Sequence, residues 1–263
     1  MRRGNFFIPL MRAADREISR ILCVKIQTLL TPIIRVVIYL LVFGMSIDTL
    51  LVRGESFSYD HFLVPGLLAM NMIMNGFENG SSSIISNRFQ GEMEMIRITP
   101  MSGWQFLWGT CLGTLFRVGV ISVGTWLLSC LYFLSLNKPL LSLHHTSLFL
   151  LFSFLGTITC NFLGICVSLF AKNFDQVNSV NTFILMPMVY LGGVFFPISR
   201  LPQLWQWVAR GNPLFYFING IRHTFFGLSD ASPFHGLWIS GLFCLITYLA
   251  ALFFVEKGNY QRW

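Results

Sequence analysis

The sequence predicts an all-α polytopic membrane protein with six transmembrane helices. Of its 263 residues, 54% are hydrophobic and only 11% are charged, whereas a soluble domain carries about 25% charged residues. Most of its apolar stretches approach the ~20 residues that an α-helix needs to cross ~30 Å of hydrocarbon. These stretches cover residues 27–47, 62–84, 104–134, 147–171, 177–197 and 235–255. The segments between them are too short for a soluble domain, so residues 1–263 are predicted to form a single transmembrane domain.

The basic residues mark membrane topology. The net charge of +7 is spread over the connectors and does not gather on one polar domain, so it does not indicate a nucleic-acid partner. Given six spans, eleven Lys and Arg residues fall on the side of the two termini and five on the other side. Because cytoplasmic loops carry the excess of Lys and Arg, both termini are predicted to be cytoplasmic.

Residues 5–25 predict an amphipathic helix ahead of the first span. Apolar residues recur there at steps of three or four, and Arg16 and Arg20 belong to the opposite, polar face. A basic amphipathic helix typically lies in the membrane interface, in contact with lipid. A solvated helix against a cytosolic partner is the alternative interpretation, and the two can coexist.

Residues 85–103 connect the second and third predicted spans on the cytosolic side. A short helix is predicted from Arg88 to Ile98, because the residue before Pro100 is disfavoured in helical conformation. Met93 and Ile96 would project from this helix. The charged residues that flank them are Glu92, Glu94 and Arg97. Exposed apolar side chains of this kind are usually covered by a partner protein.

Residues 197–234 form a long connector that is strongly apolar. Pro202, the run 211–213 (Gly-Asn-Pro) and Gly227 divide it into two helical pieces that are too short to span a bilayer. A broken, partly re-entrant helical hairpin before the last span fits this pattern. A helical cap on the outer surface fits it equally well.

The second predicted span carries a stripe of polar residues. Steps of three and four place them on one helical face. The stripe consists of Asn71, Asn75, Glu78, Asn79, Ser82 and Ser86. Exposure of polar side chains to lipid is energetically costly, so this face is predicted to point at another helix, a second subunit or a water-filled pathway.

Three charged residues lie well inside predicted spans, namely Arg35, Glu78 and Arg117. Counted from the ends of their spans, Arg35 and Glu78 have similar depths, which predicts that they form an ion pair. Arg117 is the alternative partner of Glu78. A buried ion pair that holds the helices together is the favoured interpretation.

The sequence lacks the common catalytic and metal-binding motifs. None of its four lysines follows a glycine, which excludes a G-K-[ST] phosphate-binding loop. The H-E-x-x-H and G-x-S-x-G patterns are absent as well. The chain is therefore predicted to be no enzyme, with no catalytic residue, metal or cofactor of its own.

Two local motifs give the chain a family resemblance. Residues 88–100 read Arg-Phe-Gln-Gly-Glu-Met-Glu-Met-Ile-Arg-Ile-Thr-Pro, and residues 212–222 read Asn-Pro-Leu-Phe-Tyr-Phe-Ile-Asn-Gly-Ile-Arg. With the six spans, they resemble the type-two permease subunits of ABC-type exporters, which include lipo-oligosaccharide nodulation exporters and drug or polyketide exporters. In the second motif the matching residues are Asn212, Pro213, Leu214, Tyr216 and Arg222. Glu92 departs from the first motif, where threonine is usual.

The resemblance implies a partner and a mechanism. The segment after span two would dock on a separate ATPase subunit, which would bind ATP and Mg²⁺, and Arg16 and Arg20 would make a second contact. The implied docking positions are Gly91, Glu92, Met93, Glu94, Ile96 and Arg97. Two ATPases and two permeases, expected to form a homodimer, would export a lipid-linked, saccharide or hydrophobic small molecule across a bacterial inner membrane. An ion-coupled carrier or a channel that works without an ATPase is the alternative function.

Overall fold

The computed structural model describes residues 7–46, 49–52, 55–91, 101–227 and 230–257. The predicted interfacial helix is α1 (Phe7–Cys23), and the first predicted span is a π-helical turn (Ile26–Leu30) followed by α2 (Thr31–Ser46). The next two predicted spans correspond to α3 (Tyr59–Phe89) and α4 (Gly103–Ser135), and the fourth corresponds to α5 (Thr146–Phe170).

The fifth predicted span is interrupted. It comprises α6 (Phe174–Val180), a second π-helical turn (Asn181–Leu185) and α7 (Met186–Leu191), and it ends as a helix before residue 192. After a 3₁₀ turn (Ile198–Arg200), the apolar connector forms α8 (Gln203–Gly211) and α9 (Pro213–Phe226). The last span is α10 (Pro233–Glu256).

The described helices confirm the all-α fold class, and one short element between them was not predicted. A short antiparallel pair of strands, β1 (Thr49–Val52) and β2 (Glu55–Ser58), connects α2 to α3 with Thr49 opposite Ser58. Threonine, valine and phenylalanine favour extended backbone. The connector between α2 and α3 is also too short to hold another helix.

Four helices in the described ranges are long and apolar enough to cross a membrane: Ile26–Gly44, α4, α5 and α10. The polar stripe lowers the apolar character of α3, and among the described helices α3 is the most buried, with twenty-five of its residues buried. α3 packs closely on α5, because a Cβ at Gly76 would lie 2.7 Å from the Thr157 carbonyl oxygen. The core therefore centres on the helix that carries the polar stripe.

The connector after α3 differs from the prediction. Arg88 and Phe89, expected to begin a separate short helix, extend α3 instead. Gly91 follows in left-handed conformation (φ 71°) and ends the helical run, as glycine commonly does after a helix. Glu92, Met93, Glu94, Ile96 and Arg97 lie outside the described residues.

Candidate functional site

Helix α1 is seated in a notch of α4 made by two glycines. A Cβ at Gly109 would lie 2.5 Å from Ala13 Cβ, and one at Gly113 would lie 2.5 Å from Glu17 Cβ. Such close approach requires glycine. The predicted amphipathic helix thus packs on the bundle through Ala13, Ala14, Glu17 and Ile21. We call the end of the bundle that carries α1 the α1 end, and the opposite end the β-hairpin end.

A buried carboxylate connects α1 to α3. Glu17 is only 1% exposed, and its Oε1 accepts a hydrogen bond from Ser83 Oγ at 2.6 Å. Arg20 donates to Glu17 Oε2 through Nε and Nη2, at 3.1 and 2.8 Å. Arg20 also donates to Ser82 Oγ at 2.9 Å and to Asn79 Oδ1 at 3.0 Å. Arg20 therefore links α1 to the polar stripe of α3, and Arg16 Nη2 lies 3.6 Å from Glu17 Oε1.

The amides of the stripe connect helices. Asn79 Nδ2 donates to Thr114 Oγ1 of α4 at 2.7 Å, and Thr114 Oγ1 donates to Asn161 Oδ1 of α5 at 2.7 Å. On the same face but closer to the β-hairpin end, Asn71 Nδ2 donates to Thr125 Oγ1 of α4 at 3.3 Å. These side chains are buried, so their hydrogen bonds hold α3, α4 and α5 in register.

Glu78 pairs with Arg117 and not with Arg35. Glu78 Oε2 lies 3.1 Å from Arg117 Nη2, which also donates to Asn75 Oδ1 at 2.9 Å. The first-choice prediction is therefore wrong, and the alternative partner is the observed one.

Helix register explains the error. Gly44 of α2 lies beside Asp60 of α3, since a Cβ at Gly44 would be 3.5 Å from Asp60 Cβ. Counted from that level at ~1.5 Å per residue, Arg35 is about 14 Å and Glu78 about 27 Å along the bundle. Depth counted from the ends of predicted spans did not capture this offset.

A cavity of about 760 Å³, lined mostly by polar and charged residues, opens beside this network at the α1 end. It follows α3 from Gln90 to Glu78, a distance of about 18 Å at the usual helical rise. Its wall includes Arg16, Arg20, Ser82, Ser86, Asn87, Arg117, Asn178 and Asn181. Glu78, whose side chain is 34% exposed, presents its carboxylate here. The stripe is thus divided between helix contacts (Asn71, Asn75, Asn79) and the cavity wall (Glu78, Ser82, Ser86).

The chain matches the model of the family described as "ABC-2 type transporter" over residues 10–226. The chain belongs to the ABC-2 type transporter family. The resemblance stated from its motifs is confirmed, and the protein is a transmembrane permease of the ABC transporter type.

Several permeases are similar to the chain over different shares of their length. The chain is 29% identical over 260 residues to Inner membrane transport permease YadH of Escherichia coli (strain K12), with 98% of each chain covered. It is 28% identical over 238 residues to Nodulation protein J of Rhizobium meliloti (strain 1021), covering 86% of this chain and 82% of that one. Over 194 residues it is 23% identical to Probable multidrug ABC transporter permease YbhR of E. coli (strain K12), covering 70% and 49%. With its apolar helices, these similarities identify a multi-pass inner membrane protein.

The second motif of this ABC-2 permease surrounds the end of the fifth predicted span. Asn212 caps α9 by accepting from Leu214 N at 3.0 Å, and its Nδ2 donates to the Met188 carbonyl oxygen. Pro213 occupies the first turn of α9, and Tyr216 OH donates to the Arg210 carbonyl oxygen at 2.9 Å. Arg222 donates to the Gly193 carbonyl oxygen. These motif residues therefore contact α7 and α8. They are not among the residues that line the cavity.

Sequence reasoning missed two clusters. Arg88 was grouped with the connector, yet its Nη2 donates to the Ser168 and Leu169 carbonyl oxygens at 3.0 and 3.3 Å and caps the end of α5. At the β-hairpin end, fully buried Asp60 contacts His61, Ser58 and Lys138. A carboxylate in the first turn of a helix, beside a histidine, was the available signal for the second cluster.

Proposed function

We propose that this protein is the export permease of an ABC transporter and that a separate ATPase drives it through residues 88–98. The observation that carries the proposal is the polar cavity at the α1 end. Its wall contains Gln90, which follows α3 directly and belongs to the proposed docking segment, as does Gly91 after it. A movement imposed on that segment would thus act directly on the cavity wall.

The α1 end would be cytoplasmic, with six spans and both termini inside. The surplus of Lys and Arg on that side supports this orientation. In this arrangement α8 and α9 form the partly re-entrant hairpin from the outer side. Its support is Asn212 at the base of α9, which contacts Met188 within the fifth span.

The cavity would be the inner mouth of the export pathway. It extends about 18 Å along α3, more than half of a ~30 Å hydrocarbon core. Glu78 and Arg117 would bound its inner end, and Arg20 would fix α1 to its wall. The substrate would be a lipid-linked, saccharide or hydrophobic small molecule that enters from the cytoplasm.

Two permease copies and two ATPases would form the working complex. ATP and Mg²⁺ would bind to the ATPases, and closure of the ATPases would bias the permease between an inward-open and an outward-open state. Exposed apolar residues such as Ile34, Ile38 and Phe183 supply apolar surface for the second copy or for lipid.

The docking segment is tested by substituting its apolar residues. Met93→Asp with Ile96→Asp should abolish co-purification of the ATPase without reducing the amount of inserted permease, since charged side chains would not enter an apolar groove. Leu204→Asp, at an exposed apolar residue of α8, is the control and should leave co-purification intact. Retention of the ATPase by the double variant would refute the docking assignment.

An ion-coupled carrier is the second candidate, and the Glu78–Arg117 pair favours it. Ionisable groups inside a span and open to a cavity are typical of proton-coupled pathways. Reconstitution of the permease alone distinguishes the two functions. Substrate uptake driven by a proton gradient, with no ATPase present, would select the carrier.

A further inference from the structure

The fifth predicted span ends in backbone that is not helical. Helix α7 stops at Leu191, and Gly193 follows in left-handed conformation (φ 88°). Residues 192–194 are buried. We call residues 192–197 the exit segment. Inside a membrane protein, main-chain carbonyls that leave a helix need hydrogen-bond donors from neighbouring elements.

Two buried side chains supply such donors to the exit segment. Tyr59, in the first turn of α3, is fully buried, and its hydroxyl donates to the Phe195 carbonyl oxygen at 3.1 Å. Arg222 of α9 donates through Nη2 to the Gly193 carbonyl oxygen. The exit segment is therefore bonded to α3 on one side and to α9 on the other.

The backbones of α3 and the exit segment also touch. A Cβ at Gly66 would lie 2.5 Å from the Val194 carbonyl oxygen, so only glycine permits the present distance. On the opposite side, Phe195 contacts Tyr39 and Phe43 of α2 through their rings, at centroid distances of 5.6 and 5.4 Å. The exit segment is thus wedged between α2 and α3.

Arg222 is costly in this position. It is 5% exposed, and within the described ranges no carboxylate lies at ion-pair distance from it. Its guanidinium carbon lies 3.9 Å from the centre of the Phe62 ring, and its Nε has no hydrogen-bond partner. A buried cation with no carboxylate at ion-pair distance is energetically costly, and such residues in membrane proteins commonly have a role in function.

We propose that Tyr59 and Arg222 are positioning residues that hold the exit segment closed against α3, and that outward opening of the permease breaks their bonds to Phe195 and Gly193. The opening step rests on the proposed transport function. The bonds are made to main-chain carbonyls, so they can be exchanged for water when the segment moves away from α3. Closure then depends on a few hydrogen bonds and one glycine contact.

The proposal is tested by the accessibility of position 194. Val194 is fully buried, so Val194→Cys, in a background whose six native cysteines are replaced, should react slowly with a membrane-impermeant thiol reagent. Tyr59→Phe removes one hydroxyl and should raise the labelling rate roughly five-fold, the factor expected for one ordinary hydrogen bond. Gly66→Ala should raise the rate as well, because its methyl group forces the segment outward. Arg222→Met should raise the rate more than Arg222→Lys, which keeps the charge and a donor.

Two control variants match these changes. Tyr248→Phe removes a hydroxyl from α10, and Gly119→Ala adds a methyl group where nothing lies within 4 Å. Both should label at the parent rate. If Tyr59→Phe, judged on protein that elutes like the parent in gel filtration, labels no faster than Tyr248→Phe, the proposal is overturned.

A second measurement separates this proposal from the transport function. Labelling of the isolated permease tests the closure by Tyr59 and Arg222 and needs no ATPase. In the assembled complex, ATP should accelerate labelling of Val194→Cys in the same cysteine-replaced background, with Tyr59, Gly66 and Arg222 unchanged. Unchanged labelling during active hydrolysis would overturn the opening step. Failure to find any ATPase would count against the proposed function and would leave the result on the isolated permease standing.

Discussion

Arg117 does more for the structure than its partner Glu78. It is 5% exposed and binds both Asn75 and Glu78, whereas the Glu78 side chain is 34% exposed at the cavity. Removal of Arg117 leaves the buried Asn75 acceptor unsatisfied, whereas Glu78→Gln keeps a side-chain oxygen to which Arg117 can still donate.

Arg117→Met should therefore lower the free energy of unfolding by about 1–3 kcal/mol, and Glu78→Gln should lower it by less than about 1 kcal/mol. Thermal unfolding in detergent, followed by intrinsic fluorescence, measures the difference. Arg35→Met is the control, since Arg35 does not pair with Glu78 in the structure, and its variant should behave like the parent. A larger loss for Glu78→Gln than for Arg117→Met would contradict the assignment.

Asp60 and His61 form a pH-dependent contact at the β-hairpin end, ahead of the predicted span at 62–84. Burial alone would raise the pKa of Asp60, but hydrogen bonds from His61, Lys138 and Ser58 outweigh it and hold that pKa well below its ordinary value of 3.8. The hydrogen bond to Asp60 raises the pKa of His61 above its ordinary value of 6.5, against the effect of burial.

The signs of these shifts define a window. A raised histidine pKa stabilises the fold fully below 6.5 and ceases to do so as the pH rises through the folded value. A lowered carboxyl pKa stabilises the fold above 3.8 and ceases to do so as the pH falls through the folded value. The contact should be strongest between these two ordinary values.

Asp60→Asn should reduce the histidine contribution, because the hydrogen bond to the carboxylate is the largest cause of the raised pKa of His61, while the hydrogen bond to the Pro139 carbonyl oxygen remains. The unfolding temperature of the parent should fall as the pH rises from 6 to 8, and the variant should show a smaller fall. His61→Gln is the matched control and should lose the same dependence. An unchanged pH profile in Asp60→Asn would exclude the contact as the cause.

At the scale of elements, the seating of α1 on α4 is the contact with the clearest steric requirement. Gly113→Val would force its side chain into Glu17 Cβ and should cost about 1–3 kcal/mol, as overpacking usually does. Gly119→Val is the control on the same helix, where the structure shows open space. Thermal unfolding of both variants is the measurement, and equal stability of the two would contradict the described packing.

The elements were largely predictable because their signals are local. Apolar length predicted the helices that correspond to the first, third, fourth and last predicted spans to within a few residues, and Pro202, Asn212 and Gly227 predicted the break points of the connector. The hairpin at 49–58 was missed because it depends on pairing between two short strands and not on periodicity. The extension of α3 to Phe89 was missed because the span was bounded by hydropathy, which falls at Ser86 and Arg88 while the helix continues.

Contacts between elements were predictable only in kind. The stripe on α3 had to face something polar, but which residues meet depends on helix register. Arg20 illustrates the limit: the family resemblance implied a contact with the ATPase, and in the structure Arg20 reaches Asn79 and Ser82 of the same chain. Its partners come from a helix about sixty residues away, so nothing local in the sequence indicated them.

At the scale of the whole molecule, the described residues form a bundle with a polar cavity at one end and an apolar broken connector at the other. Membership of the ABC-2 type transporter family implies an ATPase partner. We propose that the contact with that partner lies at the α1 end, where Gln90 and Gly91 follow the end of α3 and Gln90 lines the cavity. We propose that the ATPase drives the permease through this contact.

Site-specific crosslinking in native membranes tests this claim most directly. A photoreactive amino acid in place of Met93 should capture a protein that mass spectrometry identifies as an ATPase with a G-K-[ST] loop. The same probe in place of Trp205, at the opposite end of the bundle, should capture none. An ATPase crosslinked equally from both positions, or from position 205 alone, would contradict an ATPase contact at the α1 end.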